Sequence, residues 1–195
     1  MTLQLDPAAQ NLLFRDAHTA NTFTDEQVTD EQVRSVYDLV KYAPTAYNQQ
    51  PLRVVLVRTP ESRERLVGHM TANNAPKTAA APLVAILAAD NEFHEQLPSQ
   101  FPHFPQAKEL FVERETRERS ARLNALIQVG YFIIGVRAAG LAAGPMTGAD
   151  LAGIQKEFLD DDHTPLMIVN IGKPGEDAWF PRSPRLEADQ VITTV

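Results

Sequence analysis

The amino-acid sequence predicts an α+β fold, because helical and strand-like patterns are mixed without regular alternation. Apolar residues repeat at helical spacing along residues 118–141, which predicts one long core helix. The run PLVAILAA at 82–89 is continuously apolar and of strand length, which predicts a strand buried on both faces. The irregular order of these elements argues against a doubly wound parallel sheet.

Capping residues and prolines delimit the other elements. A helix is expected at 8–17, and a second helix begins after Thr29, which is followed by acidic residues suited to a first turn. It must stop near Tyr42, because the residue before Pro44 is pushed out of the helical region. The remaining predictions, in chain order, are a strand at 52–57, a helix at 60–69, a short segment that could be helical at 71–80, a loop or broken helix at 93–105, a helical segment at 107–116, a helix at 150–159, a strand at 166–171 and an irregular tail from 172.

Length and composition fit one domain spanning residues 1–195. The formal net charge of −7 disfavours binding to a phosphate backbone, which requires a basic face. The absence of cysteine removes disulfides, thiolate metal sites and cysteine nucleophiles, and it fits a reducing cytoplasm. Neither a secretory signal pattern nor an apolar stretch of roughly 18 residues is present. We therefore expect a cytoplasmic protein that acts on neither nucleic acids nor membranes.

Several familiar chemistries have no signature in this sequence. The dinucleotide-binding pattern G-x-G-x-x-G, the phosphate-binding pattern G-x-x-x-x-G-K and the nucleophile pattern G-x-S-x-G are all missing. The five histidines do not form H-E-x-x-H. His94 and His103 could together bind a metal, but the favoured interpretation is that both are ordinary polar residues of a loop. No metal is therefore predicted.

The stretch PTAYNQQP at 44–51 places neutral donors and acceptors between a predicted helix and a predicted strand. Alone it could be a helix-stopping turn. Four further features accompany it: AHTANTF at 17–23, NAPK at 74–77, GPMTG at 144–148, read as a glycine-flanked turn, and RSPR at 182–185. Each alone could be an ordinary turn or surface segment. Together, amides, a lysine, free turn N–H groups and late arginines suit a ligand with a flat heteroaromatic head, a polyol and a phosphate.

These motifs resemble the nitroreductase family of FMN-dependent oxidoreductases. The family signature P-[ST]-x-x-N-x-Q-P stands here at 44–51, its Asn-x-x-Lys stands at 74–77, and its turn after the glycine-rich helix stands at 145–148. The resemblance implies a nitroreductase-like fold, with a mixed, mainly antiparallel sheet flanked by helices and a long central helix. It also implies an obligate homodimer with FMN at the subunit interface, where one chain supplies the signature loop and the other holds most of the flavin.

The resemblance assigns the cofactor residues motif by motif. Neutral amides would read the flavin edge, the lysine would favour the reduced flavin, turn N–H groups would face N5 and O4, and the late arginines would hold the phosphate. The family's usual R-R-S-x-R-x-[FY] start is replaced here by AHTANTF, which lacks two or three charges. The expected FMN-binding residues are His18, Thr19, Asn21, Pro44, Thr45, Ala46, Asn48, Gln50, Asn74, Lys77, Pro145, Met146, Thr147, Gly148, Arg182 and Arg185.

The implied activity is a ping-pong hydride transfer from NADH or NADPH through FMN to a small electrophile. The stretches PMTG, EFHEQLPSQFPH and PRL are similar to a malonic semialdehyde reductase-like subgroup, so that aldehyde is the first candidate oxidant. A quinone or nitroaromatic compound is the alternative. Phe101, His103 and Phe104 are candidates for a substrate lid, although a packed surface loop is equally compatible. A function of a different class, that of a non-catalytic dimeric module that binds flavin, is the competing hypothesis. The altered N-terminal motif is its only support.

Overall fold

The computed structural model describes residues 3–195, and a four-stranded antiparallel sheet lies at its centre. The strands are β1 Leu52–Val57, β2 Leu83–Asp90, β3 Ala142–Met146 and β4 His163–Gly172. Their order is β1-β2-β4-β3, and all three pairings are antiparallel. The predicted α+β class and mainly antiparallel sheet are confirmed. Since β1 and β3 form the two edges, three strand spacings, or roughly 14 Å, separate them.

Helices cover both faces of the sheet. The α-helices are α1 Pro7–Gln10, α2 Asp30–Val40, α3 Pro60–His69, α4 Ala75–Ala80, α5 Leu97–Gln100, α6 Arg114–Ala138, α7 Leu151–Phe158 and α8 Ala188–Val191. A π-helical turn, Asn11–Arg15, extends α1, and 3₁₀ turns lie at Ala46–Asn48, Phe93–Gln96 and Pro105–Phe111. The long helix α6 confirms the predicted core helix, four residues earlier at its start.

Two sequence predictions about elements are wrong. The segment 142–146 is a strand, β3, whereas GPMTG was expected to be a turn from residue 144. Its small residues and proline hide the strand pattern, and only pairing with β4 reveals it. The helical segment expected at 107–116 is two elements, because Glu113 is extended and separates a 3₁₀ turn from α6.

The core has one layer on each face of the sheet. Along β2, Leu83, Ala85 and Leu87 belong to the layer under α6, whereas Val84 and Ile86 belong to the layer under α3 and α7. Every residue of β2 is buried, which confirms the prediction of a strand covered on both faces. The sheet is therefore a rigid support whose two edges carry the loops described next.

Helix α2 directs the chain towards the edge strand β1. Thr29 and Gln32 form a capping box at its start, through bonds of 3.2 and 2.8 Å. The helix ends at Val40, before Pro44, as predicted. Gly135 of α6 lets α2 approach, because a Cβ there would meet the side chains of Val36 and Val40.

The tail 181–195 is exposed throughout and carries the apolar residues Leu186, Val191 and Ile192. Within residues 3–195, no helix combines the length and the apolar character needed to cross a bilayer.

Candidate cofactor site

The segment Pro44–Gln50, here called the amide loop, has an unusual backbone. Tyr47, Asn48 and Gln50 have φ angles of 52°, 51° and 46°, although none is glycine. Non-glycine residues seldom adopt this left-handed conformation, and each costs on the order of 1–3 kcal/mol. The surrounding structure must therefore impose the conformation of the loop.

Helix α6 provides the first anchor of the amide loop. The Asn124 side-chain oxygen accepts the Ala46 N–H at 2.8 Å, and its amide donates to the Gln49 oxygen at 3.1 Å. The Gln49 amide donates to the Ser120 hydroxyl at 3.0 Å. Gln49 and Asn124 are buried, so this network closes in a low-dielectric environment where each bond matters.

Strand β1 provides the second anchor. The Arg53 guanidinium donates to the carbonyl oxygens of Gln50 at 2.9 Å and Leu52 at 3.0 Å. Its other terminal nitrogen pairs with the Asp90 carboxylate at the end of β2. The ion pair thus holds the left-handed end of the loop against the sheet.

The last residue of α5, Gln100, provides the third anchor, and the segment that follows carries the predicted lid. The Asn48 amide donates to the Gln100 carbonyl at 2.8 Å, and the Gln50 amide donates to the Gln100 side chain at 3.1 Å. Of the lid candidates, Phe101 packs against the ring of Tyr47. The structure therefore brings the predicted lid and the amide loop together, with His103 and Phe104 exposed beside them.

A second group of predicted residues meets at the opposite edge of the sheet. The Lys77 ammonium on α4 donates to the Asn21 side-chain oxygen at 2.7 Å. The Asn74 amide donates to the Gly148 carbonyl at 3.0 Å. Three distant segments thus assemble Asn21, Asn74, Lys77, Thr147 and Gly148, here called the lysine cluster.

The turn after β3 is clamped by the segment that follows α3. The Thr71 N–H donates to the Gly148 carbonyl at 3.1 Å, and the Asp150 N–H donates to the His69 carbonyl at 2.8 Å. A Cβ on Gly148 would lie 2.6 Å from the Asn74 amide nitrogen, so a glycine is needed for this close approach. Pro145 and Met146, which were expected in the turn, are the last residues of β3.

His69 also supports this turn through its side chain. Its Nε2 lies 2.6 Å from the Glu157 carboxylate on α7, and Arg65 pairs with the same carboxylate. The hydrogen bond from His69 and the charges of His69 and Arg65 hold the pKa of Glu157 below its ordinary value.

The N-terminal segment contributes only some of its predicted residues. Ala20 donates its N–H to the Ala143 carbonyl at 3.0 Å, which docks the segment on β3. Asn21 reaches the lysine cluster, and Thr19 is exposed. His18 instead packs on Trp179, at 5.7 Å between ring centroids, and lines a separate cavity of about 390 Å³.

The two late arginines are separated in the structure. The Arg182 guanidinium donates to the carbonyl oxygens of Ala17, at 3.1 Å, and of Arg15. Arg185 is exposed, and its bonds within the described chain go to the carbonyls of Ser183 and Pro184 in its own tail. Arg182 therefore lies beside the N-terminal motif, whereas Arg185 does not.

The amide loop and the lysine cluster do not meet within one chain. The loop leads into β1, and the cluster lies at the end of β3, so they occupy opposite edges of the sheet. Across residues 3–195, no hydrogen bond joins the two groups.

Residues near β2 form a compact group of possible metal ligands. Atoms of Glu92, His94 and Glu95 lie within 4.8 Å of one another, but Arg117 pairs with Glu92 and Lys108 pairs with Glu95. His94 is buried rather than a loop residue at the surface, because the 3₁₀ turn that follows β2 carries it into the core. His103 does not belong to the group.

Comparison with known proteins identifies the family. The model of the nitroreductase family matches residues 15–173. A protein of Streptomyces griseus subsp. griseus named "Putative NADH dehydrogenase/NAD(P)H nitroreductase" is 77% identical over 196 residues and covers 100% of both chains. A protein of Streptomyces coelicolor with the same kind of name is 74% identical over the same length and coverage.

Solved structures share the fold. A protein of Bacillus subtilis described as a "putative nitroreductase" superposes with a TM-score of 0.86 at 22% identity, covering 97% of this chain and 100% of the other. A nitroreductase of Exiguobacterium sibiricum in complex with FMN superposes with a TM-score of 0.85 at 19% identity, covering 100% of both. The chain belongs to the nitroreductase family.

Proposed function

We propose that this chain is an FMN-dependent NAD(P)H oxidoreductase that works as a homodimer. The observation that carries the proposal is the lysine cluster, in which Asn74, Lys77 and the turn at Gly148 converge from distant segments. The names of the relatives with 77% and 74% identity support NAD(P)H as the electron donor. The FMN present in the Exiguobacterium structure supports the choice of flavin.

The residues of the lysine cluster fit an FMN. Gly148 packs closely against the side chains of Asn74 and Thr71, and the Thr147 and Gly148 N–H groups belong to the turn after β3. The hydrogen-bond partner of Lys77 is the neutral Asn21 amide, and among the described residues no carboxylate forms an ion pair with Lys77. Its charge is therefore available to an anionic ligand. When bound, FMN would accept a hydride from NAD(P)H at N5 and pass it to the oxidant.

The protein residues supply binding and orientation. Lys77 favours negative charge at the flavin edge, which stabilises the reduced cofactor. The N–H groups of Thr147 and Gly148 would donate to the N5 and O4 edge of the flavin, and the amide loop would supply neutral donors and acceptors. Arg182 beside the N-terminal motif would hold the phosphate. His18 packs on Trp179 and lines a cavity together with Ala17, and its contact with the phosphate stays a prediction.

The homodimer completes the site. Because the amide loop and the lysine cluster lie at opposite edges of one sheet, the loop of one subunit would face the cluster of the other. Helix α6 carries an exposed apolar stripe at helical spacing, which comprises Leu123, Leu126, Ile127 and Tyr131. Exposed apolar stripes of this kind mark protein interfaces.

The oxidant belongs to one of two classes. Similarity of PMTG and EFHEQLPSQFPH to the malonic semialdehyde reductase-like subgroup supports a small aldehyde acid, reduced to 3-hydroxypropionate. The position of Phe101 beside Tyr47 supports a quinone or nitroaromatic compound instead. Steady-state rates with each oxidant separate the two.

The visible absorption spectrum of the purified protein, before and after addition of NADH or NADPH, tests the activity. We expect an oxidised-flavin spectrum that bleaches with the donor and recovers when an oxidant is added. A protein that binds FMN but is never reduced would instead support the non-catalytic module. A protein that does not bind added FMN would contradict both.

A further inference from the structure

Tyr47 occupies a position of the amide loop for which the flavin assignment gives no role. It lies between Ala46 and Asn48, which that assignment places at the cofactor, and the residue is 38% exposed. Its backbone is left-handed, with φ of 52°. A bulky residue in this conformation is strained and needs a compensating reason.

The Tyr47 ring is the outer end of a row of aromatic rings that begins in the core. Its centroid lies 5.8 Å from that of Phe111, which lies 5.0 Å from that of Phe93. Phe93 is fully buried, and Phe111 nearly so. The three rings meet edge to face, the arrangement that aromatic quadrupoles favour, so the position of the Tyr47 ring is fixed from inside.

The exposed side of Tyr47 continues into the predicted lid. The ring of Phe101 lies 5.7 Å from Tyr47, and His103 packs on Phe101 at 3.9 Å between centroids. Gln100 fastens this segment to the loop by two hydrogen bonds. Tyr47, Phe101 and His103, here called the aromatic wall, therefore form one unit with the loop that would contact the flavin.

We propose that Tyr47 is a specificity-determining residue that selects flat conjugated oxidants over small aldehyde acids. The proposal rests on the proposed function, since it requires a flavin beside the amide loop. The rings of Tyr47 and Phe101 reward a π-system that stacks on them and carry no cation to pair with a carboxylate. Lys108, the lysine nearest to the wall in sequence, is already paired with Glu95.

The test compares Tyr47→Gly and Tyr47→Phe with the wild-type enzyme. Glycine removes the ring but adopts the left-handed backbone without strain, so the loop should keep its shape. Phenylalanine keeps the ring and removes only the hydroxyl. Tyr42→Gly is the matched control, because Tyr42 is 79% exposed and its ring contact is with Lys41.

Each variant is loaded with FMN, and bleaching by the nicotinamide donor is checked first. The value of kcat/KM is then measured with a naphthoquinone, with malonic semialdehyde and with ferricyanide, which accepts electrons without stacking. We expect Tyr47→Gly to lose about three- to tenfold with the naphthoquinone and less than about twofold with the other oxidants. Tyr47→Phe and Tyr42→Gly should match the wild type with all three.

Three outcomes overturn the inference. In the first, the ratio of kcat/KM with naphthoquinone to kcat/KM with ferricyanide is the same in Tyr47→Gly as in the wild type. In the second, this ratio falls by the same factor in Tyr42→Gly as in Tyr47→Gly. If the variants bind FMN normally and are bleached by the donor, these two outcomes contradict the role of Tyr47 but not the proposed function. A wild-type protein that never bleaches would overturn the proposed function together with this inference.

Discussion

The amide loop and the lysine cluster are both predicted to hold the same cofactor, but the chain builds them differently. The loop is held by anchors from α6, from Arg53 and from Gln100, and these anchors support three left-handed residues. The cluster is assembled from three distant segments by single hydrogen bonds such as that from Lys77 to Asn21. The loop is therefore a rigid surface held in place by its neighbours, whereas the cluster keeps the charge of Lys77 available for a ligand.

Removing the anchor from α6 should destabilise the amide loop and give the largest loss in the free energy of unfolding. Asn124→Ala removes the acceptor of the Ala46 N–H and one of the two donors to the buried Gln49 oxygen, which keeps the Ser120 hydroxyl. We expect the free energy of unfolding to fall by about 2–4 kcal/mol, measured by urea denaturation. Asn73→Ala, at an exposed position, should stay within about 0.5 kcal/mol. Equal losses in the two variants would show that the anchor does not support the loop.

Removing the lysine should break the cluster side without unfolding the protein. Lys77→Met keeps the helix-compatible stem but removes the charge that would face the flavin. We expect the FMN dissociation constant to rise about ten- to hundredfold, as for a lost hydrogen bond to a charged group, with little change in stability. Fluorescence titration measures this affinity. Lys156→Met on α7 is the exposed control, and an affinity loss no greater than that of the control would refute the assignment.

The ion pair below the loop gives a smaller effect. Asp90→Asn weakens the hold of Arg53, whose other nitrogen supports the Gln50 carbonyl. Since the Asp90 side chain is about one-tenth exposed, we expect a loss of about 1–3 kcal/mol in the free energy of unfolding. Asp177→Asn, which is exposed, is the control. If Asp90→Asn is as stable as the control, then the loop does not depend on this pair.

The turn of the lysine cluster should show a small dependence on pH. Glu157 has a lowered pKa because of His69 and Arg65, so its stabilisation is present above the ordinary carboxylate pKa and is lost as pH falls through the lowered one. Glu157→Gln should therefore melt below the wild type at pH 7, and the difference in Tm should shrink towards pH 3.5. Glu64→Gln on the exposed face of α3 is the control. A difference that grows on acidification would contradict the sign.

Local sequence patterns predicted those elements whose own residues specify a helix or a strand. Thr29 and Pro44 delimit α2, and the apolar run 82–89 marks β2. Strand β3 was missed because its residues, AAGPM, become a strand only by pairing with β4. This strand depends on pairing with a segment distant in the chain, and its local sequence does not show that pairing.

The same distinction holds for the site. Two motif residues, Asn74 and Lys77, contact Gly148 and Asn21, and their contact with FMN stays a prediction. The supports of the amide loop, Asn124, Arg53 and Gln100, were not identified, because each acts on a segment distant in sequence or carries no motif. One signal was available, since Asn124 and Gln128 are polar residues at buried positions of a mainly apolar helix face. The direction of His18 depended on the packing of Trp179, which no local pattern indicates.

Subunit complementation tests most directly whether the two regions serve one cofactor across a dimer. Lys77→Met damages the cluster, and Ala46→Trp places an indole on the exposed face of the amide loop. The two variants are co-expressed with different tags, and the heterodimer is purified through both tags. Its two sites then differ: one combines both lesions, and the other has a wild-type loop and a wild-type cluster. We predict that each variant homodimer is nearly inactive in NADH-dependent reduction and that the heterodimer has about half of the wild-type activity per dimer. A heterodimer as inactive as its parents would contradict the account, because it would place loop and cluster in the same subunit's site.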